Sequence, residues 1–186
     1  MKEDFPTQSQ NPGNPEKLKL EITRVTRDTI HELESIRRAT DDRIDEKKFK
    51  WELDYYGAGG DHTAFLIRDN GKVIGFVEVD AVADYIPKGA ERDHCADEQT
   101  FDNLKSWARI GRISLLDEYR GQKIGNTLLD HAEAWARSHG QQVIWLDYLA
   151  AKKKLEEFYI GAGYATFMDF KDGDRDRLRR IAVKRF

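Results

Sequence analysis

Ile110-Gly111-Arg112-Ile113-Ser114-Leu115-Leu116 continues through Asp117-Glu118-Tyr119 into Arg120-Gly121-Gln122-Lys123-Ile124-Gly125, passing from a strand-like run through a polar turn straight into helical periodicity. Ile124, Thr127, Leu128, His131, Ala132 and Trp135 then recur at i, i+3, i+4, i+7, i+8 and i+11, the stripe of an amphipathic helix, with Gly140 as its C-terminal stop. A turn of this kind brings free backbone N–H groups and the positive end of a helix to one point, which suits a pyrophosphate. A Walker A loop would end in Gly-Lys-Ser/Thr, but Gly125 is followed by Asn126-Thr127, and no dinucleotide fingerprint opens the first strand. A phosphate-bearing ligand other than ATP or NAD is indicated.

Working outward, residues 18–25 alternate Leu18, Leu20 and Ile22 with Lys19, Glu21 and Thr23, a half-buried strand. Asp28 or Thr29, with Glu32 as the capping-box partner of Thr29, starts a helix whose buried stripe is Ile30, Leu33 and Ile36. A second helix is expected over 44–56, carrying Trp51 and Tyr55, stopped by Gly57-Ala58-Gly59-Gly60. Strands over 63–68 and 72–79 flank Asp69-Asn70-Gly71, where Asn-Gly supplies the positive φ angles of a tight hairpin. Residues 81–107 are of mixed polarity and rich in acids, and read as a long insertion. Beyond the central helix come a strand over 143–148, a helix over 150–160, and strands over 164–170 and 178–186. The order β α α β β, insertion, β α β α β β gives an α/β class fold, a mixed α+β sheet with too few βαβ units for a doubly wound nucleotide fold.

Composition bounds the function. The 186 residues include 43 Leu, Ile, Val and Phe, enough for one real core, and residues 1–17 read as a disordered leader outside the domain 18–186. Charge is heavy but balanced, 31 Lys and Arg against 34 Asp and Glu, so no global cationic field would hold nucleic acid. The single Cys excludes an internal disulfide and any multi-Cys metal site, and the apolar runs are far too short to span a membrane. Residues 1–17 lack a hydrophobic signal region, so a cytoplasmic protein is expected.

Arg120 and Gly125 sit at the two ends of an Arg/Gln-x-x-Gly-x-Gly/Ala pattern, and Phe158-Tyr159 followed by Gly163-Tyr164 matches Phe-Tyr-x-x-x-Gly-Phe at the expected distance downstream. In these two motifs, in this order, the chain resembles the GCN5-related N-acetyltransferase (GNAT) superfamily over about 18–186. Two positions depart from the family: Lys123 replaces the middle glycine of the loop, and Lys152 stands where the family often has an Asn that bonds the pantetheine arm. The resemblance implies a strongly twisted central mixed sheet flanked by helices, and transfer of an acetyl group from acetyl-CoA to a primary amine by direct attack in a ternary complex. It implies that the backbone of Ile113, Ser114 and Leu115 pairs with pantetheine and that Arg120, Gly121, Gln122, Lys123, Ile124 and Gly125 hold the pyrophosphate. It also implies that Tyr159 protonates the departing thiolate.

The base that takes the ammonium proton stays open among Glu78, Asp80, Asp117, Glu118 and Asp147, with Glu78 ranked first and Asp147 second, and a water chain able to replace any of them. His31, His62, His94, His131 and His139 share no metal-ligand spacing, so no metal is expected; His131 lies on the buried stripe and reads as a core residue. Arg175, Arg177, Arg179, Arg180, Lys184 and Arg185 form a basic run that fits a solvated strand edge better than a phosphate or RNA contact. Acids at Asp41, Asp42, Asp45, Glu46 and Asp54 and in the insertion favour a cationic amine, a polyamine, an aminoglycoside-like sugar or a lysine, alongside a peptide α-amine. Two other readings stand beside this one, a non-catalytic acyl-CoA-binding module and an aminoacyl-tRNA acetyltransferase, and a homodimer is compatible with all three.

Overall fold

Asn70 and Gly71 adopt φ of 48° and 83° in the computed structural model, which describes residues 18–40, 56, 60–81, 98–172 and 177–186. Both central turn residues thus lie in the left-handed region, which matches the twist of a two-residue hairpin and sets the register of β2 (His62–Asp69) against β3 (Lys72–Asp80). β1 (Leu20–Arg24) adds antiparallel to the far side of β2, and β4 (Ala108–Leu115) adds antiparallel to β3. The second half of the sheet is β5 (Val143–Leu149), β7 (Arg177–Arg185) and β6 (Ala165–Asp172), again antiparallel neighbours. The order across the sheet is β1-β2-β3-β4-β5-β7-β6, so the two halves meet where β4 and β5 run parallel. This is the mixed sheet flanked by helices that the sequence led us to expect.

The helices divide between the two faces. On one face lies α3 (Ile124–Ser138), which sets Ile124, Leu128, Leu129, Ala132 and Ala136 against Phe65, Ile67, Val77, Val79, Ile110, Ile144 and Leu146. Each Leu, Ile, Val or Phe among them, fully withdrawn from water, contributes about 1.5–3 kcal/mol. The buried stripe is rotated from the one read in the sequence: Thr127 is exposed, His131 is half-buried with its ring edge-on to Phe65 at 4.4 Å, and Glu133 is buried. Glu133 can be buried because Lys184 Nζ of β7 donates to it at 2.9 Å and also to the Ala162 carbonyl at 2.8 Å.

On the opposite face α1 (Ile30–Thr40) buries Leu33 and Ile36 against Ala64, Leu66 and Phe76. Its expected capping box does not form. Thr29 Oγ1 accepts from the Thr26 N–H at 2.9 Å, and Glu32 instead takes both of its bonds from Arg68 of β2, each at 2.8 Å, so the carboxylate pins the helix to the sheet. Past the outer half of the sheet, on this second face, residues of the expected insertion form α2 (Glu98–Ser106), docked by Leu104 against Trp145 and Ile181 and by the Trp145 indole N–H donating to the Leu104 carbonyl at 2.9 Å. Its sparse apolar residues give no periodicity from which a helix would be read. The basic run on β7 is not a solvated edge either, since β6 is the edge strand; Arg180 donates to Asp169 at 2.7 and 2.8 Å and pairs with Glu156. The leader, the expected helix over 44–55, Cys95 and most of the insertion lie outside the described residues. No helix among the described residues is long and apolar enough to cross a membrane.

Candidate active site at the fork of the sheet

The parallel ladder between β4 and β5 holds for only two pairs, Ala108 with Ile144 and Arg109 with Trp145. Beyond them the strands have no pairing with each other, which leaves main-chain groups on the facing edges of both arms available to a ligand strand. Ile113, Ser114 and Leu115 lie on the β4 arm of this fork, each partly exposed. The register of β3 against β4 passes from Glu78 with Arg112 to Val79 with Ile110, so Gly111 is the extra residue of a β-bulge one position into the arm. A Cβ at Gly111 would sit 3.7 Å from the Tyr56 hydroxyl and 3.8 Å from Glu78.

At the open end of β4 the chain turns through a 3₁₀ segment, Asp117–Tyr119, and enters α3. The entry residue Lys123 has φ 63° and ψ 5°, and no side chain caps the first turn of the helix, whose N–H groups face the loop. The left-handed angle explains why the family pattern has glycine here, and it costs a lysine about 1 kcal/mol. Arg120 and Lys123 bring positive charge to the same helix end; Arg120 pairs with Asp117 at 2.8 Å, and Gln122 donates to the Glu118 carbonyl at 2.9 Å to hold the turn. The cradle fits a pyrophosphate by charge, by uncapped donors and by backbone shape. Lys123→Gly is expected to raise the melting temperature slightly and to raise KM for acetyl-CoA while flattening its salt dependence; a KM and salt slope equal to wild type would remove the lysine charge from phosphate binding.

α4 (Lys153–Gly161) packs on the α3 side of the sheet. Its Phe158 ring touches the helix start, since a Cβ at Gly125 would lie 3.0 Å from Phe158 Cζ. Tyr159, buried next to it, packs on Tyr148 of β5 with ring centroids 5.2 Å apart and on Tyr164 at 6.0 Å. Burial first, then the negative charge of Asp147 and the neighbouring Tyr148, push the Tyr159 phenol well above the ordinary tyrosine range, so it carries its proton at neutral pH. Lys152 precedes α4 with its side chain exposed, and its N–H donates to the Leu149 carbonyl at the end of the β5 arm, 2.9 Å away.

The five candidate carboxylates separate into two groups. Asp117 and Glu118 are at the phosphate end, exposed, and roughly 20 Å of strand from the closed end of the fork. Glu78, Asp80 and Asp147 gather around that closed end, and each is paired. Glu78, buried on β3, lies 3.3 Å from Arg37 of α1 and accepts from the Tyr56 hydroxyl at 3.3 Å. Asp80 lies 3.0 Å from His62 Nδ1 and 3.7 Å from Arg109. Asp147 accepts from Arg179 Nε at 2.7 Å and lies 3.7 Å from Arg109. Arg37, His62, Arg109 and Arg179 were not singled out in the sequence as parts of a site. His62 with Asp80 and Asp80 with Arg109 are direct cross-strand pairs, which a correct register would have revealed. No cluster of three or more His, Cys, Asp or Glu among the described residues is arranged to hold a metal ion.

The chain matches the family model of the acetyltransferase (GNAT) family over residues 28–164. No curated protein matches it by sequence. Among solved structures it is similar to the ribosomal-protein-S18-alanine N-acetyltransferase from Escherichia coli, at 17% identity and a TM-score of 0.65, covering 89% of this chain and 93% of that one. It is similar to NAA60 of Arabidopsis thaliana in complex with acetyl-CoA, at 14% identity and a TM-score of 0.65, covering 90% and 98%. A third neighbour is AAC(6′)-Iy in complex with a bisubstrate analogue, CoA-S-monomethyl-acetylneamine, at 13% identity and a TM-score of 0.63, covering 77% and 89%. The forked sheet with a helix start at its mouth is thus that of an acyl-CoA-dependent transferase. The chain belongs to the acetyltransferase (GNAT) family and is an acetyl-CoA-dependent acetyltransferase.

Proposed function

We propose that the protein moves the acetyl group of acetyl-CoA to a primary amine, on a small cationic molecule or a peptide, by direct attack within a ternary complex. The observation that carries this reading is the fork. Its β4 arm, unpaired on the edge that faces β5, leads from the uncapped start of α3 at one end to the Gly111 bulge at the other, with the protonated Tyr159 packed on Tyr148 of the β5 arm.

In this reading the backbone of Ile113, Ser114 and Leu115 extends the sheet onto the pantetheine arm, the loop Arg120 to Gly125 holds the pyrophosphate, and Lys152 meets the cofactor where the β5 arm ends. Glu78, beside the bulge, receives the ammonium proton directly or through a water, while Arg37 and Tyr56 hold its carboxylate in place. The amine nitrogen bonds to the acetyl carbon, the C–S bond breaks, Tyr159 gives its proton to the departing sulfur, and the second proton shed by the nitrogen as the amide forms restores the Tyr159 phenol through solvent. Asp147, held by Arg179, shapes the field at the phenol and is the weaker candidate for the base. The neighbours' names carry an alanine of a ribosomal protein and an acetylneamine joined to CoA, both built on amines, which supports this acceptor chemistry.

The test is release of free thiol from acetyl-CoA against polyamines, aminoglycosides, lysine peptides and free peptide α-amines. Turnover with one class above the solvent background is expected. Tight acetyl-CoA binding with no turnover on any amine would instead make the chain a binding module.

A further inference from the structure

Arg109 is the last residue of β4 that pairs with β5, so its side chain stands at the vertex of the fork. The guanidinium reaches Asp80 of β3 with one nitrogen and Asp147 of β5 with the other, each at 3.7 Å, and lies over the Trp145 ring at 5.3 Å. Asp147 is two residues beyond the vertex on the open β5 arm and is bound on its other side by Arg179 of β7. Asp80 is bound on its other side by His62 of β2. Five adjacent strands therefore carry a line of paired polar side chains, His62, Asp80, Arg109, Asp147 and Arg179, and its centre spans the place where the backbone ladder gives out.

A lysine at position 109 could not serve two carboxylates on different strands in this way; the planar fork of an arginine can. The line matters for chemistry because Asp147 directly precedes Tyr148, whose ring packs 5.2 Å from that of Tyr159, and from there its negative charge raises the proton affinity of the Tyr159 hydroxyl, so a bare carboxylate makes proton donation harder. We propose that Arg109 is a positioning residue, a strap that joins the two arms of the fork through Asp147 and cancels the charge of that carboxylate beside the phenol of Tyr159. The proposal rests on the reading of Tyr159 as the proton donor.

The experiment is a set of steady-state measurements on the whole chain. Arg109→Met keeps most of the side-chain volume and should lower kcat about tenfold with KM for acetyl-CoA within about twofold. Arg109→Lys, which keeps the charge but cannot bridge both carboxylates, should recover only part of that loss. Adding Asp147→Asn to Arg109→Met should also raise kcat back toward that of Asp147→Asn alone, because the charge that Arg109 offsets is gone. In a Tyr159→Phe background Arg109→Met should cost less than about twofold. A purely structural role predicts the reverse, with losses that multiply in both backgrounds, and that result overturns the proposal. Tyr159→Phe measured alone judges the proton-donor reading separately, so the failure of one is distinguishable from the failure of the other.

Discussion

Tyr159→Phe should lower kcat by roughly ten- to a thousandfold while KM for acetyl-CoA moves little, the pattern of an interaction made mainly in the transition state. The substitution removes one hydroxyl and keeps the ring, so the packing on Tyr148 and Tyr164 survives. A thiolate leaves with a reference pKa near 8.5, and a donor held at the sulfur helps most as the C–S bond breaks. The sign of the shift on Tyr159 adds a second check. Its affinity for the proton is raised, so the acid form persists as pH rises, and Tyr159 should contribute no falling limb to kcat below about pH 10. If kcat stays within about twofold of wild type when chemistry limits turnover, the residue is packing and the acid lies elsewhere.

Gly125→Val should weaken acetyl-CoA binding by about a hundredfold or more in calorimetry. The glycine is needed for space: any Cβ there comes within 3.0 Å of the Phe158 ring, and branched methyl groups would drive that ring and α4 away from the start of α3. The phosphate cradle and the Tyr159 helix are in contact at this point, so the variant should lose turnover together with affinity. Phe158→Leu in the same chain gives the new side chain room and should restore at least a tenfold part of the affinity. Unchanged affinity in Gly125→Val would mean that the phosphate does not lie at this helix start.

What the sequence disclosed was the chemistry of short range. Asn70-Gly71 names its own turn because few other residue pairs accept two positive φ angles, and the periodic residues after Gly125 reveal a helix because the pattern repeats four times. The stripe is still off by part of a turn, since it leaves out Glu133, which Lys184, 51 positions away, holds inward. Glu32 was read as a cap for the same reason, its real partner Arg68 being 36 positions on. The site follows the same division. Its loop and Tyr159 stand in local motifs that a sequence can display, whereas Arg37, Arg109 and Arg179, which pair with Glu78, Asp80 and Asp147, are brought in by strand register and helix docking. A list of carboxylates carries no information about its counter-ions until the sheet order is known.

Backbone hydrogen bonding between the two halves of the sheet rests on Ala108, Arg109, Ile144 and Trp145 alone. The cooperativity of unfolding is therefore carried across the middle of the molecule by side chains, above all by the apolar layer in which Phe65 and Val77 from one half meet Leu146 and Ala182 from the other beneath Leu128 and Ala132. While that layer holds, the chain melts as one unit; when it loosens, the first seam to part is the boundary between two sub-global units, and that boundary runs through the active site.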